Sequence, residues 1–123
     1  MAINTQKLGM LVQKFVATTP EVQGAAVVTP DGLPLAASLP GSMDEERVSA
    51  MSAAMLSLGE RIGKELLGGT AERVYVEGDE GLTILTSCGD EAVFLVLAGK
   101  EAKQGVLLLE IKRTVADVRP TLS

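Results

Sequence analysis

The stretch RVSAMSAAMLSLGERIG, residues 47–63, separates two groups of strand-like segments and is typical of a long helix. Its residues Val48 to Gly59 carry no charge, although a helix on the surface of a small domain normally keeps one charged face. At about 100° per residue, its larger apolar side chains fall on one stripe, which we expect to pack on a sheet. The stripe consists of Val48, Met51, Met55, Leu58, Ile62 and Leu66.

Small side chains occupy the opposite face of this helix, where charged residues are usual. They are Ala50, Ala53, Ala54 and Ser57, with Arg61 one turn further on. Because small side chains let a second helix approach closely, we favour a helix–helix contact on this face. The alternative is that water covers it, since alanine is the best helix former and tolerates solvent.

Capping signals mark both ends of the long helix. Ser42 stands three residues before Glu45, which is the spacing of a capping box. Acidic residues at positions 44–46 suit the positive end of the helix dipole, and Gly68 and Gly69 favour termination. The sequence therefore predicts a helix over about residues 43–67.

Helices are also predicted at both ends of the chain. Residues 3–18, INTQKLGMLVQKFVAT, have helical apolar spacing, with Asn4 or Thr5 as the cap and Pro20 as the terminator. Residues 101–120, EAKQGVLLLEIKRTVADVRP, show the same spacing and end at a proline.

A hairpin is predicted between the first helix and the long helix. Two short apolar runs, Ala25–Val28 and Leu33–Ser38, flank TPDG at residues 29–32. Gly32 supplies the positive φ that closes such a hairpin with a bulge. Pro34 has no backbone N–H, so it predicts an edge position for the second strand.

Three further strands follow the long helix. They are AERVYVEG at 71–78, EGLTILTSCG at 80–89 and EAVFLVLAG at 91–99, joined by short turns that make neighbours antiparallel. The last strand is apolar on both sides and must be covered above and below. We therefore expect one domain, residues 1–123, with an α+β fold: a three-layer α/β/α arrangement around a five-stranded antiparallel sheet.

The strand that follows the long helix is predicted to be a free edge with apolar content. Val74, Tyr75 and Val76 would form that edge, and an unpaired apolar edge promotes association unless it is guarded. Pairing with the same strand of a second copy would satisfy it about a two-fold axis and bring the two long helices together. The alternative is a monomer guarded by charged neighbours, namely Glu72, Arg73 and Glu77.

Composition argues against several classes of function. The net charge is −5 and aromatic residues are 2% of the chain, so neither a basic footprint nor a base-stacking platform for nucleic acid is present. The chain has no His and one Cys, which disfavours a nucleophile–His pair and a zinc site. We expect no cofactor, no metal, no catalytic residue, no membrane insertion and a cytoplasmic location, with Cys88 as a small buried apolar residue.

The sequence resembles the Roadblock family, which includes dynein light chains of that name. The resemblance lies in VQGAAVVTPDGLPLAAS at 22–38, the small-residue long helix, VYVEGDEGLTILTSCGDEAVFLVLAG at 74–99 and GVLLLEIKRTVADV at 105–118. It implies a profilin-like Roadblock architecture, homodimers or heterodimers with a sheet continued across the third strands, and paired long helices as a platform. The chain is similar to stand-alone bacterial or archaeal members, the MglB-like regulators of Ras-like small GTPases.

Three functions agree with this resemblance. The leading hypothesis is a homodimeric, non-enzymatic regulator or scaffold that binds a Ras-like GTPase through the long helix; nothing marks Arg47, Arg61 or Arg73 as an arginine finger. The dimer and partner interface would contain Ala50, Ala53, Ala54, Ser57, Arg61, Val74, Tyr75 and Val76. The second hypothesis is a passive dimeric adaptor without nucleotide sensing. The third is a small-molecule sensor, although no small-molecule substrate is expected and the Ala- and Leu-rich sequence shows no polar pocket.

Overall fold

A computed structural model describes residues 3–122. In these residues three helices and five strands alternate in the predicted order, and a 3₁₀ turn follows the last helix. The elements are α1 (Thr5–Thr18), β1 (Val22–Val28), β2 (Pro34–Ser38), α2 (Glu45–Leu66), β3 (Arg73–Glu77), β4 (Gly81–Ser87), β5 (Val93–Gly99), α3 (Gln104–Val118) and the turn Arg119–Leu122. The strands form one sheet in the order β2-β1-β5-β4-β3. All neighbours are antiparallel, which confirms the predicted fold class.

The sheet is the middle layer of three, as the apolar strand β5 requires. One core lies between the sheet and helices α1 and α3, and includes Phe15 packed edge-on against Phe94 with ring centroids 5.1 Å apart. The second core lies under α2 and includes Leu85, Val93 and Leu95. Strand β5 contributes side chains to both cores because successive residues point to opposite faces.

The turns form as the sequence predicts. Asn4 caps α1, since its side-chain oxygen accepts a hydrogen bond from the Lys7 N–H at 3.0 Å. Gly32 has φ of +94° in the β1–β2 turn, and the register of that pair shifts at Val28. Strand β2, which begins at Pro34, lies at one edge of the sheet.

The start of α2 differs from the predicted capping box. Asp44 is the capping residue, and its carboxylate accepts a hydrogen bond from the Glu46 N–H at 3.0 Å. The assignment of Ser42 as the cap is wrong because the helix begins at Glu45, too late for Ser42 to reach its first N–H groups. The end is as predicted, with Leu66 as the last helical residue and Gly68 at φ of +75°.

Glycine and serine residues line the sheet-facing side of α2. Buried residues of this helix are Val48, Ser49, Ser52, Gly59 and Gly63. Both serine hydroxyls donate to a carbonyl one turn earlier in the helix, at 2.8 and 2.9 Å, so their burial leaves no unpaired donor.

The predicted sheet-facing stripe is therefore largely wrong. Of its six members, Val48 is buried and Met55 is half-buried, whereas four are exposed: Met51, Leu58, Ile62 and Leu66. The physical reason is close approach. A β-carbon on Gly59 would collide with Cγ2 of Val74, so the helix rests on its small residues and turns the larger apolar ones away from the sheet.

We predict opposite effects for two helical Gly→Ala substitutions. A β-carbon on Gly63 would lie 2.8 Å from the carbonyl oxygen of Gly69 and 2.9 Å from the Ala71 nitrogen. Because both atoms belong to the backbone, Gly63→Ala should lower the free energy of unfolding by about 1–3 kcal/mol. A β-carbon on Gly9, in α1, would have no atom within 4 Å. Because alanine favours the helix over glycine, Gly9→Ala should raise the free energy of unfolding by about 0.5–1 kcal/mol. Chemical denaturation of both variants measures the difference, and a stabilised Gly63→Ala would contradict this packing.

Candidate interaction surface

The exposed face of α2 carries a row of large apolar side chains. Met51 is 58% exposed, Leu58 60%, Ile62 42% and Leu66 75%. They recur at spacings of seven, four and four residues, so they follow one side of the helix. We call these four residues the apolar row. Single exposed apolar residues are ordinary on a protein surface, whereas several along one side of a helix are typical of an interaction surface.

The apolar row faces away from the end of the sheet where β4 turns into β5. Leu56 and Glu60, on the other flank of α2, line a groove at that end together with Ser87 and Val93. The row consequently lies on the side of Leu97, which packs half-buried under α2 toward the opposite end of the sheet.

The edge strand β3 adds apolar surface next to this row. β3 pairs with β4 and has no second neighbour among the described residues. Val74 is half-buried against α2, and Val76, on the same face by strand alternation, is 54% exposed. Tyr75 points to the other face, since it lies opposite Ile84 of the α1–α3 core, and it is also exposed. β3 is thus a free edge, as predicted.

The small-residue face of α2 is only partly free. Ala50, Ala54, Ser57 and Arg61 are exposed, whereas Ala53 is half-buried. The β1–β2 turn packs here: a β-carbon on Gly32 would lie 3.5 Å from Ala50 Cα and 3.5 Å from Ala53 Cβ.

Part of the small-residue pattern is therefore explained inside the chain, because small side chains let the hairpin turn approach α2. Arg61 lies on the surface in an exposed ion pair with Glu65, with Nε 3.0 Å from Oε2. Such an exposed pair contributes little to stability and leaves the guanidinium accessible.

The interpretation of the long helix from its sequence missed the apolar row as an interaction surface. The signal that identifies it is the spacing of Ser52, Gly59 and Gly63, which share one side of the helix at intervals of seven and four. Small residues at helical spacing indicate the side of closest approach. The larger apolar side chains then lie on the adjacent side.

Cys88 is a core residue, which confirms its predicted structural role. It follows β4, is 2% exposed, and its N–H donates to the carbonyl of Ala92 at 2.8 Å. Burial raises the pKa of its thiol to about 12, and the positive charge of Arg119 offsets part of that rise. A thiol with so high a pKa is a poor nucleophile at neutral pH. Within residues 3–122 no group of three or more His, Cys, Asp or Glu side chains is placed to hold a metal ion.

We predict that the Cys88 thiol resists alkylation in the folded protein. At pH 8, a pKa of about 12 leaves about one thiol in ten thousand ionised, and the side chain is also shielded from reagent. Iodoacetamide should therefore modify the native protein far more slowly than the protein unfolded in guanidinium, as followed by mass spectrometry. Equal rates in the two states would contradict the buried position.

No helix in the described part of the chain is both long and apolar enough to span a bilayer.

Sequence comparison gives matches over most of the chain. The profile of the Roadblock/LC7 domain family matches residues 8–98. Protein MJ1340 of Methanocaldococcus jannaschii is 35% identical over 101 residues, which cover 82% of this chain and 88% of that protein. Protein MJ0310 of the same organism is also 35% identical over 101 residues, with the same coverage of both chains.

Structural comparison gives the same family. The Roadblock/LC7 domain from Streptomyces avermitilis superposes with a TM-score of 0.85 at 29% identity, covering 91% of this chain and 94% of that one. MglB from Myxococcus xanthus gives 0.87 at 15% identity, covering 98% and 90%. Profilin II from Acanthamoeba castellanii gives 0.67 at 18% identity, covering 92% and 97%. The last two likenesses concern the fold alone and confirm its profilin-like Roadblock architecture.

Proposed function

Since the chain belongs to the Roadblock/LC7 domain family, we propose that it is a homodimeric, non-enzymatic regulator or scaffold of a Ras-like small GTPase. Residues 1–123 act in this proposal as one Roadblock-type domain. The observation that carries the proposal is that the apolar row of α2 and Val76 of the free edge strand β3 are both exposed on the α2 side of the sheet.

The geometry of α2 supports a second copy of this chain as the partner at that edge. The helix runs across the strands, from the β1–β2 turn at Gly32 to the edge strand at Val74, which lies under Gly59. Seven residues continue beyond Gly59 to Leu66, which is about 10 Å of helix. Gly63 in this extension packs against residues 69–71 of the same chain, so a sister copy paired at β3 would contact the extension through Ile62 and Leu66, and its own α2 would return the contact about a two-fold axis.

The small-residue face supports a site for the GTPase. When the apolar row is covered by the sister helix, Ala50, Ala54, Ser57 and Arg61 stay outside and form a flat surface that is duplicated by the two-fold axis. Few long side chains must be ordered there when a partner binds, which lowers the entropic cost of association. The family resemblance then indicates the switch region of a Ras-like GTPase as the partner. Regulation requires that the dimer bind one nucleotide state of that GTPase more tightly than the other.

We predict that a charge on the edge strand dissociates the dimer. Val76→Glu places a carboxylate in the proposed contact, where an unpaired charge should raise the dimer dissociation constant by about 100-fold or more. Leu58→Glu should do the same from the helix. Met10→Glu is the matched control, because Met10 is 64% exposed on α1, on the other face of the sheet. Sedimentation equilibrium measures all three.

Two experimental results would contradict the dimer proposal. A wild-type chain that is monomeric at tens of micromolar would contradict it. So would dissociation by Met10→Glu to the same extent as by Val76→Glu, because the effect would then not depend on the edge.

We predict that Ala50→Arg weakens GTPase binding by about tenfold or more without dissociating the dimer, because a long side chain must be moved or buried at the proposed contact. Ala17→Arg, at an exposed position of α1, should have no effect. The probe is a Ras-like GTPase from the source genome, loaded with GDP or with a non-hydrolysable GTP analogue, and calorimetry gives both affinities.

The same titration separates the regulator from a passive adaptor. Different affinities for the two nucleotide states support regulation, and equal affinities support an adaptor without nucleotide sensing. Absence of binding in both states would contradict a GTPase partner.

A further inference from the structure

A groove of about 810 Å³ lies at the end of the sheet where β4 turns into β5. The segment between α2 and β3, the β4–β5 turn, and the last turns of α3 form its walls. It lies on the opposite side of α2 from the apolar row, and it shares with the proposed dimer edge only Arg73, the first residue of β3. The groove could not be predicted from the sequence, because its polar residues come from distant segments that the fold brings together.

The groove has two halves with different charges. Thr86 faces the α3 side of the sheet, like Ile84 two residues earlier, whereas Ser87 faces the α2 side, like Leu85. By the same alternation Arg73 faces α3 and Glu72 faces α2. On the α3 side the lining carries three cationic groups on three elements, namely Arg73, Lys112 and Arg119. We call this α3 side, including Thr86, the basic half.

The carboxylates of the groove lie elsewhere. Glu60 is on α2, Glu72 faces the same side, and Asp90 is in the β4–β5 turn at the rim. Among residues 3–122, no carboxylate oxygen lies within 4 Å of the charged nitrogens of Arg73, Lys112 or Arg119. Of the three arginines outside the groove, Arg61 pairs with Glu65 and Arg113 pairs with Glu110, whereas Arg47 makes no such pair among the described residues. The basic half therefore keeps its positive charge uncompensated.

Two polar atoms under the basic half have no hydrogen-bond partner. They are Nε of Arg73 and Oγ1 of Thr86, and both are inaccessible to solvent. The two residues are directly opposite each other on β3 and β4. Buried polar atoms are almost always satisfied, so an unpaired guanidinium N–H beside an unpaired hydroxyl leaves hydrogen-bonding capacity for an acceptor at this point. Contact between a ligand in the groove and these two atoms therefore requires the half-buried Arg73 side chain to rotate.

We propose that the basic half of this groove binds a phosphate group. A phosphate offers oxygens in several directions, which suits donors that arrive from β3, β4 and α3 together. The guanidinium groups supply paired N–H donors, Lys112 a point charge and Thr86 a hydroxyl donor. The groove is much larger than one phosphate, so the group belongs to a larger phosphorylated molecule whose remainder lies along the α2 side of the groove.

Titration with inorganic phosphate tests this site directly. The ¹⁵N-labelled full chain is followed by NMR during addition of sodium phosphate, with sodium chloride at equal ionic strength as the reference. We expect saturable shifts of the backbone amides of Arg73, Thr86 and Arg119 with phosphate alone. Lys112→Gln and Arg119→Gln, both at exposed positions, should each weaken binding by about tenfold.

The matched control is Arg113→Gln, one residue from Lys112 on α3 but paired with Glu110 outside the groove. This variant should bind phosphate like the wild-type chain. Thr86→Val keeps the side-chain shape, removes the unpaired hydroxyl and should weaken binding. Shifts that do not saturate, that chloride reproduces, or that Arg113→Gln reduces as much as Lys112→Gln would overturn the proposal.

Two further probes identify the source of the phosphate. Glycerol phosphate represents small metabolites, and a short phosphoserine peptide represents a phosphorylated protein. Tighter binding of either one than of inorganic phosphate supports the extended groove and assigns its class of ligand. Failure of both to exceed inorganic phosphate would overturn the inference that the rest of the groove takes part.

Discussion

The close approach of α2 to the sheet is the constraint on which the rest of the structure depends. Gly59 leaves no room for a β-carbon above Val74, and Gly63 leaves none beside the backbone at residues 69–71. A helix held this close buries mainly small residues on its inner side, apart from Val48 near its start, and Ser49 and Ser52 fill that side while bonding to their own helix. The larger apolar side chains must then lie outside, where a single copy of the chain leaves them in water.

This packing explains why a small domain carries apolar residues on its longest helix. In a helix that packed on its sheet through methionine and leucine, the small-residue face would point to solvent. In this protein the two faces are partly exchanged. Gly32 of the hairpin turn packs near Ala50 and Ala53 on the small-residue face, whereas Met51 and Leu58 are exposed to solvent. The free edge of β3 at Val76 extends the same exposed surface. One surface formed by a helix and an edge strand suits association by sheet extension.

The order of the elements was predictable from the sequence because each is determined locally. The turn at Gly32, the cap at Asn4 and the doubly apolar β5 need only neighbouring residues to be recognised. The rotation of α2 about its own axis was not predictable. Apolar periodicity shows which residues share one side of a helix, but it does not show how closely the helix approaches the sheet. The groove was also not predictable from the sequence, because Arg73, Thr86 and Arg119 are brought together only by the order of the strands and the position of α3.

The central claim is that a second copy of the chain covers β3 and the apolar row. Hydrogen exchange of the β3 amides, residues 73–77, measured over a range of protein concentrations, tests it most directly. Half of the amide N–H groups of an edge strand point away from its neighbour, and they exchange quickly unless they donate hydrogen bonds to carbonyl groups of another strand. We predict that these outward amides are protected at high concentration and lose protection on dilution, together with the α2 amides beside Leu58 and Ile62. Rapid exchange of the outward amides at every concentration would contradict the claim.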